Sequence, residues 1–198
     1  MNATNDPYAA APDAALLVAF ANGDRQAARV LTARLLPRVL AQATRMLGNR
    51  TEAEDVAQDA MMRLWKIAPD WRQDEAQVST WLYRVVANLC TDRLRRRRGT
   101  VGLDAVDEPA DAAPSVADRM QHQARMLALS EGLAALPDRQ AQAVALRHLE
   151  GLSNPEIAQI MDISVRSVES LTARGKRALA DIMAGRKAEL GYSDDTPE

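Results

Sequence analysis

Apolar residues recur at three- and four-residue spacings along most of this chain, which predicts amphipathic helices rather than strands. Leu16, Leu17 and Phe20, then Ala27, Ala28 and Leu31, form two such runs. Asn22-Gly23-Asp24 between them is a turn signal whose aspartate also supplies an N-cap. Leu35, Leu36, Val39, Leu40, Ala43 and Leu47 continue the stripe to Gly48-Asn49, a helix stop. Thr51 and Glu54 then read as a capping box opening a helix with the apolar face Val56, Ala60, Met61, Leu64 and Ile67, ended by Pro69. After a polar stretch, Ser79 is the expected N-cap of a helix carrying Leu82, Val85, Val86 and Leu89 toward Leu94. About four helices, a small bundle, result.

Residues 99–118 interrupt this pattern. The segment has two glycines, two prolines and five acidic residues without sustained apolar periodicity, and reads as a flexible, solvated acidic linker. Beyond it an amphipathic stretch over 120–136 stops at Pro137, which is placed in the first turn of the next helix. That helix carries Ala143, Val144, Leu146 and Leu149 and ends at Gly151. Ser153 and Glu156 form a capping box for a short helix ending near Met161. Asp162-Ile163-Ser164 turns the chain, and Ser164 caps a last helix from Val165 to about Met183. The predicted fold class is therefore all-α. Two small helical domains, 13–98 and 119–190, are joined by the linker 99–118, and residues 191–198 form a polar, frayed end.

Composition agrees with helices packed through aliphatic side chains, since aromatics make up only 4% of residues. A single cysteine, Cys90, excludes an internal disulfide and fits a reducing cytoplasm. No signal peptide is expected, and no apolar run approaches the roughly 20 residues of a membrane span. The net charge of −2 argues against a nucleic-acid binder until it is resolved along the chain. Residues 1–98 carry 15 basic and 11 acidic residues, the linker five acids and no base, and residues 119–198 carry 10 basic and 11 acidic residues. Opposite charge blocks imply at least two kinds of partner surface.

Three constellations carry functional meaning. The first is a helix-turn-helix over 154–179, two helices joined by a tight turn. Ile157, Ile160, Ile163, Val165 and Val168 are its expected core wedge, with Ala158 small at the crossing. Arg166, Ser170, Ala173 and Arg177 share one outer side of the second helix, with Ser167 and Arg174 beside it, a donor-rich face suited to a DNA groove. By periodicity alone, an ordinary helical hairpin with a solvated face fits equally well. The second is the run Arg93, Arg95, Arg96, Arg97 and Arg98, which offsets the negative end of a helix macrodipole and offers a phosphate-binding patch. Trp71, Trp81, Tyr83, Arg72 and Arg84 upstream present planes on which unpaired bases can stack, although Trp65 and Trp81 are expected in the core. The third is Asp55 and Asp59, one helical turn apart, read as an acidic face for a partner.

Enzymatic patterns are missing from the sequence. It contains no phosphate-binding glycine loop, no nucleophile elbow and no paired-histidine metalloprotease motif. His122, His148 and Cys90 lack zinc-ligand spacing. No cofactor is expected.

In order, AEDVAQDAMMRLWK, STWLYRVVANLCTDRLRRRR and ALPDRQAQAVALRHLEGLSNPEIAQIMDISVRSVESLTARGKRAL resemble the second and fourth conserved regions of the extracytoplasmic-function sigma factors, the smallest class of the sigma-70 type, over residues 13–183. The resemblance implies a non-enzymatic, cytoplasmic subunit of bacterial RNA polymerase, acting at the nucleoid without membrane insertion. It implies that Asp55, Gln58, Asp59, Arg63 and Trp65 meet the clamp helices of core polymerase, with a second contact at its flap. It places Trp81, Arg84, Asn88, Asp92 and Arg95 in a helix that opens and reads the −10 promoter element, with Arg93, Arg96 and Arg97 beside them. The polar loop Trp71–Ser79 falls where the family captures a flipped-out base. Arg166, Ser167, Glu169, Ser170, Arg174, Lys176 and Arg177 fall in the helix that reads the −35 element. The resemblance further implies an anti-sigma factor that holds the protein inactive until a stress signal arrives. Asp162 stands where Gly is frequent in the turn, and Glu169 and Leu171 where basic residues are frequent. A stand-alone helix-turn-helix regulator would explain only the second block. A structural adaptor would explain neither the outer helix face nor the arginine run.

Overall fold

The structure is a computed structural model that describes residue 8 and residues 10–72, 77–99 and 116–186. Most of the expected linker 99–118 and the expected frayed end 191–198 lie outside these residues. Eight α-helices make up the described residues, with no strand among them: α1 (Asp13–Ala21), α2 (Arg25–Leu47), α3 (Arg50–Ile67), α4 (Val78–Gly99), α5 (Val116–Ala135), α6 (Asp138–Val144), α7 (Asn154–Met161) and α8 (Val165–Ala184).

Local chemistry sets most of the helix ends. Asp24 caps α2 by accepting from the N–H groups of Gln26 and Ala27 at 2.8 and 3.1 Å. The Tyr8 hydroxyl donates to the same carboxylate, and this bond leads the causes that lower its pKa. Gly48 ends α2 with φ of 64°, a left-handed conformation that glycine adopts without a Cβ penalty. Pro37 lies inside α2 without ending it; it is exposed, so the carbonyl one turn back that loses its N–H partner can face water. Three expected caps are shifted. Asn49, not Thr51, caps α3, its Oδ1 accepting from the Glu52 N–H at 2.9 Å; asparagine is a stronger cap than threonine and lies one residue before the helix. Ser79 lies inside α4, which begins at Val78 with the Trp81 N–H on the Gln77 carbonyl. Pro137 is the N-cap of α6 rather than a residue of its first turn, because its ψ of 139° is extended.

The α1–α4 bundle closes over Leu16, Leu17, Leu31, Leu35, Met46, Leu47, Val56, Leu64, Val86 and Leu94, all at most 1% exposed. This cluster does not stop at the linker: Leu133, Leu136, Ala141, Val144 and Ala145 of the second domain belong to it. After α6 the chain continues through one π-helical turn, Ala145–Leu149, before Gly151 turns it into α7. The two helical domains therefore pack against each other. Gly175 of α8 marks a close approach, since a Cβ there would lie 2.7 Å from Val144 Cγ2 and 3.2 Å from the Gln140 carbonyl oxygen.

Candidate nucleic-acid and polymerase interfaces

The helix-turn-helix is built from caps at both ends of its turn. Ser153 opens α7 with a full capping box, its N–H donating to Glu156 Oε2 at 2.7 Å, and the Ser153 hydroxyl leads the causes that hold the Glu156 carboxyl below its ordinary pKa. Asp162 adopts φ of 54° and ψ of 55°, the left-handed conformation that the turn requires and that aspartate tolerates. Ser164 then caps α8, accepting from the Ser167 N–H at 3.2 Å. Ile157, Ile160 and Val168 are buried between the helices, as their spacing predicts, and Ile163 packs against them. Val165 departs from that expectation. It is 40% exposed, because the first residue of α8 projects past the crossing rather than into it.

The outer face of α8 presents Arg166, Ser167, Glu169, Ser170, Ala173, Arg174, Lys176 and Arg177, all exposed. Leu171 is half-buried at the margin of this face. His148, in the π-helical turn, is held below the usual imidazole pKa by partial burial and by the charges of Lys176 and Arg147.

On α3, Asp55, Gln58, Asp59 and Arg63 share one outer stripe, as residues at i, i+3, i+4 and i+8 must. Asp59 and Arg63 form an exposed pair at 3.7 Å, and Asp55 faces Arg93 of α4 at 3.4 Å. Met62, which the sequence reading did not single out, is 60% exposed on the same stripe. Trp65 differs from its neighbours: it is half-buried, with its ring edge-on to Phe20 at 4.8 Å.

Helix α4 carries Arg84, Asn88, Asp92, Arg93, Arg95, Arg96 and Arg97. Five clustered guanidiniums ask for anions, and the chain itself supplies several. Arg95 meets Asp92 at 2.7 Å and Asp138 at 3.7 Å, while Arg97 meets Glu52 at 2.9 Å and donates to the Leu47 carbonyl and the Ser130 hydroxyl, both at 2.9 Å. Trp71 and Trp81 stack edge-on at 6.2 Å, both half-buried at the margin of the core rather than inside it. The Trp71 indole N–H is buried without a partner. Residues 73–76 of the expected base-capturing loop lie outside the described residues.

Sequence comparisons find two family regions along the chain. The family profile of Sigma-70 region 2 matches residues 31–100, and that of Sigma-70 region 4 matches residues 126–179. The ECF RNA polymerase sigma factor SigM of Mycobacterium tuberculosis is 34% identical over 172 residues, covering 86% of this chain and 84% of SigM. The chain belongs to the extracytoplasmic-function sigma factors.

SigE of Mycolicibacterium smegmatis is 31% identical over 160 residues, and that match spans 79% of this chain but only 61% of SigE. Among solved structures, CnrH in complex with the cytosolic domain of CnrY has a TM-score of 0.62 at 27% identity, covering 87% of this chain and 97% of CnrH. The sigma factor RpoE of Bartonella quintana, solved with the anti-sigma factor NepR, has a TM-score of 0.55 at 19% identity over 79% of this chain and 96% of RpoE, a likeness of fold alone. Region 2 of this sigma factor thus contains α3 and α4, and region 4 contains the helix-turn-helix. No described helix is long and apolar enough to cross a membrane.

Residues that sequence reasoning missed join these regions. Arg45 of α2 makes a two-pronged bond to Glu150, its Nε donating to Oε1 at 2.9 Å. Gln142 of α6 donates to Asn88 Oδ1 at 2.6 Å, and Ser130 of α5 donates to the Leu47 carbonyl at 2.6 Å. No spacing rule links positions 105 residues apart, so only the folded chain reveals the first pair.

Proposed function

We propose that this sigma factor directs core RNA polymerase to promoters through three surfaces assigned residue by residue. The α3 stripe of Asp55, Gln58, Asp59 and Arg63, with Trp65 bracing its base, docks on the clamp helices, and region 4 engages the flap. Helix α4, with Arg84, Asn88, Arg93, Arg95, Arg96 and Arg97, and Trp71 ahead of it, holds the −10 element as it opens. Helix α8 enters the major groove at the −35 element. Within it, Arg166, Ser167, Glu169 and Ser170 face base edges, and Arg174, Lys176 and Arg177 face phosphates. The domains are residues 13–98 and 119–190, joined by the acidic linker 99–118. The role is that of an initiation factor with no cofactor; the polymerase supplies the catalysis. It acts in the cytoplasm, at the nucleoid, where polymerase and promoter are found.

The observation that carries this reading is the exposed, donor-rich face of α8 on a fully capped helix-turn-helix, in one chain with the α3 stripe. A stand-alone regulator has no use for that stripe and ordinarily dimerises to read two half-sites. The likeness to CnrH, solved in complex with the cytosolic domain of CnrY, supports a protein partner here as well, and an anti-sigma factor is the partner proposed. Transcription with purified core polymerase tests the reading. Core with this chain should yield a transcript of defined start, and core alone should not. A chain that binds duplex promoter as a dimer and leaves core unchanged would favour the regulator.

A further inference from the structure

The face of α8 proposed to read bases extends beyond its polar residues. Positions 165, 166, 169, 170 and 173 lie at i, i+1, i+4, i+5 and i+8, which places them on one side of the helix, and all five are exposed. Val165 and Ala173 are its apolar members. Val165 is the first residue of α8 and is 40% exposed, so a large apolar side chain is left in solvent at the tip of the helix. Its surroundings are firm. Ser164 caps the helix on the Ser167 N–H, and the two serine hydroxyls are bonded to each other at 2.8 Å. Ile163, two residues upstream, packs against the buried Ile157, Ile160 and Val168. A valine in a helix has one strongly preferred rotamer, so the methyl groups of Val165 point in a fixed direction from a fixed tip.

A helix that enters a major groove sets its N-terminal residues against base edges. Arg166, Glu169 and Ser170 carry hydrogen-bonding groups for such edges, and Val165 carries none. The apolar group that base pairs expose in the major groove is the C5 methyl of thymine. We propose that Val165 is a further specificity-determining residue, which reads a thymine of the −35 element through that methyl group. The contact needs no hydrogen bond and no rearrangement of the tip, because the side chain is already held outward. It discriminates thymine from cytosine, whose edge has an amino group and no methyl, and from uracil, which differs from thymine by the methyl alone. Burying one methyl group is worth about 0.8 kcal/mol, equivalent to about a fourfold change in affinity. The proposal rests on the assignment of α8 to the −35 element.

The test uses holoenzyme assembled from core polymerase and the full chain, as parent, Val165→Ala and Arg166→Ala. A promoter selected by the parent from a randomised −35 library is remade with deoxyuridine in place of each −35 thymine in turn, on either strand. Each replacement removes one methyl group and keeps the base pair. Parent holoenzyme should bind about fourfold more weakly when one particular thymine is replaced. Val165→Ala should bind the thymine promoter more weakly than the parent does, and should bind the thymine and uracil promoters equally well at that position. The thymine-to-uracil ratio is taken within each variant, so a change in folding or in polymerase affinity cancels. Equal uracil penalties in parent and Val165→Ala would overturn the proposal while Arg166→Ala still shifts base preference. So would a −35 element in which no thymine is sensitive to loss of its methyl. Should Arg166→Ala shift no preference either, the assignment of α8 to the −35 element fails, and the proposal with it.

Discussion

Replacing Gly175 by Ala should loosen the seat of the reading helix, and a matched substitution isolates the reason. A Gly→Ala change at a helical φ with room for the methyl gains about 0.4–1 kcal/mol, chiefly from lost freedom of the unfolded chain. Gly185, at the end of α8, has φ of −69° and nothing within 4 Å of a built Cβ, so Gly185→Ala should show that gain alone. At Gly175 the added methyl would lie 2.7 Å from Val144 Cγ2 and 3.2 Å from both Gln140 Cβ and the Gln140 carbonyl. Valine in a helix has one favoured rotamer, and a backbone carbonyl cannot swing aside, so α8 must move off α6. Overpacking of this kind costs about 1–3 kcal/mol. Gly175→Ala should therefore be less stable than Gly185→Ala by about 1–3 kcal/mol in urea unfolding followed by far-ultraviolet circular dichroism. It should also lower transcription from promoters that depend on the −35 contact. If the two variants are equally stable, α6 and α8 are not in the close contact described.

The remaining predictions concern the proposed surfaces and one titration. Reversing charge at Asp55 and Asp59 together should weaken competition for core polymerase while leaving helix content intact, since both carboxylates lie on the outer stripe of α3; undiminished competition would remove α3 as the docking surface. Arg166→Ala should cost about 1–3 kcal/mol at one or two −35 positions and relax preference there, whereas Arg177→Ala should weaken all promoters alike, as a randomised −35 library would show. Glu156→Gln should flatten the acid limb of the thermal stability profile. The folded Glu156 carboxyl titrates below its ordinary value, so its capping contribution is complete above the unfolded pKa and is lost as pH falls through the carboxylate range. An unaltered acid limb would mean that the capping box contributes nothing to folding.

The elements that could be read from the sequence are those whose causes are local. Asp24, Gly48, the Ser153–Glu156 box, the left-handed Asp162 and Ser164 each act within three or four residues of themselves, and each is found where its spacing puts it. Where two candidate caps lie close together, as Asn49 and Thr51 do, the stronger capping residue, asparagine, takes the position. The outer face of α8 was legible because one side of a 3.6-residue helix must face away from Ile157, Ile160 and Val168. Val165 was misassigned because the same periodicity says nothing of where a crossing begins. The arginine run was legible as charge but not as pairing. Glu52 and Asp55 of α3 and Asp138 of α6 reach it from two other parts of the chain, and Glu150 reaches Arg45 in the same way.

Mapping transcript 5′ ends from a library of genomic DNA fragments, transcribed by core polymerase with and without this chain, tests sigma-factor function most directly. With the chain present, start sites should share two sequence blocks at a fixed separation, the upstream block changing with Arg166→Ala and the downstream block weakening with Arg84→Ala. Starts that are scattered, or that are the same with core alone, would contradict it.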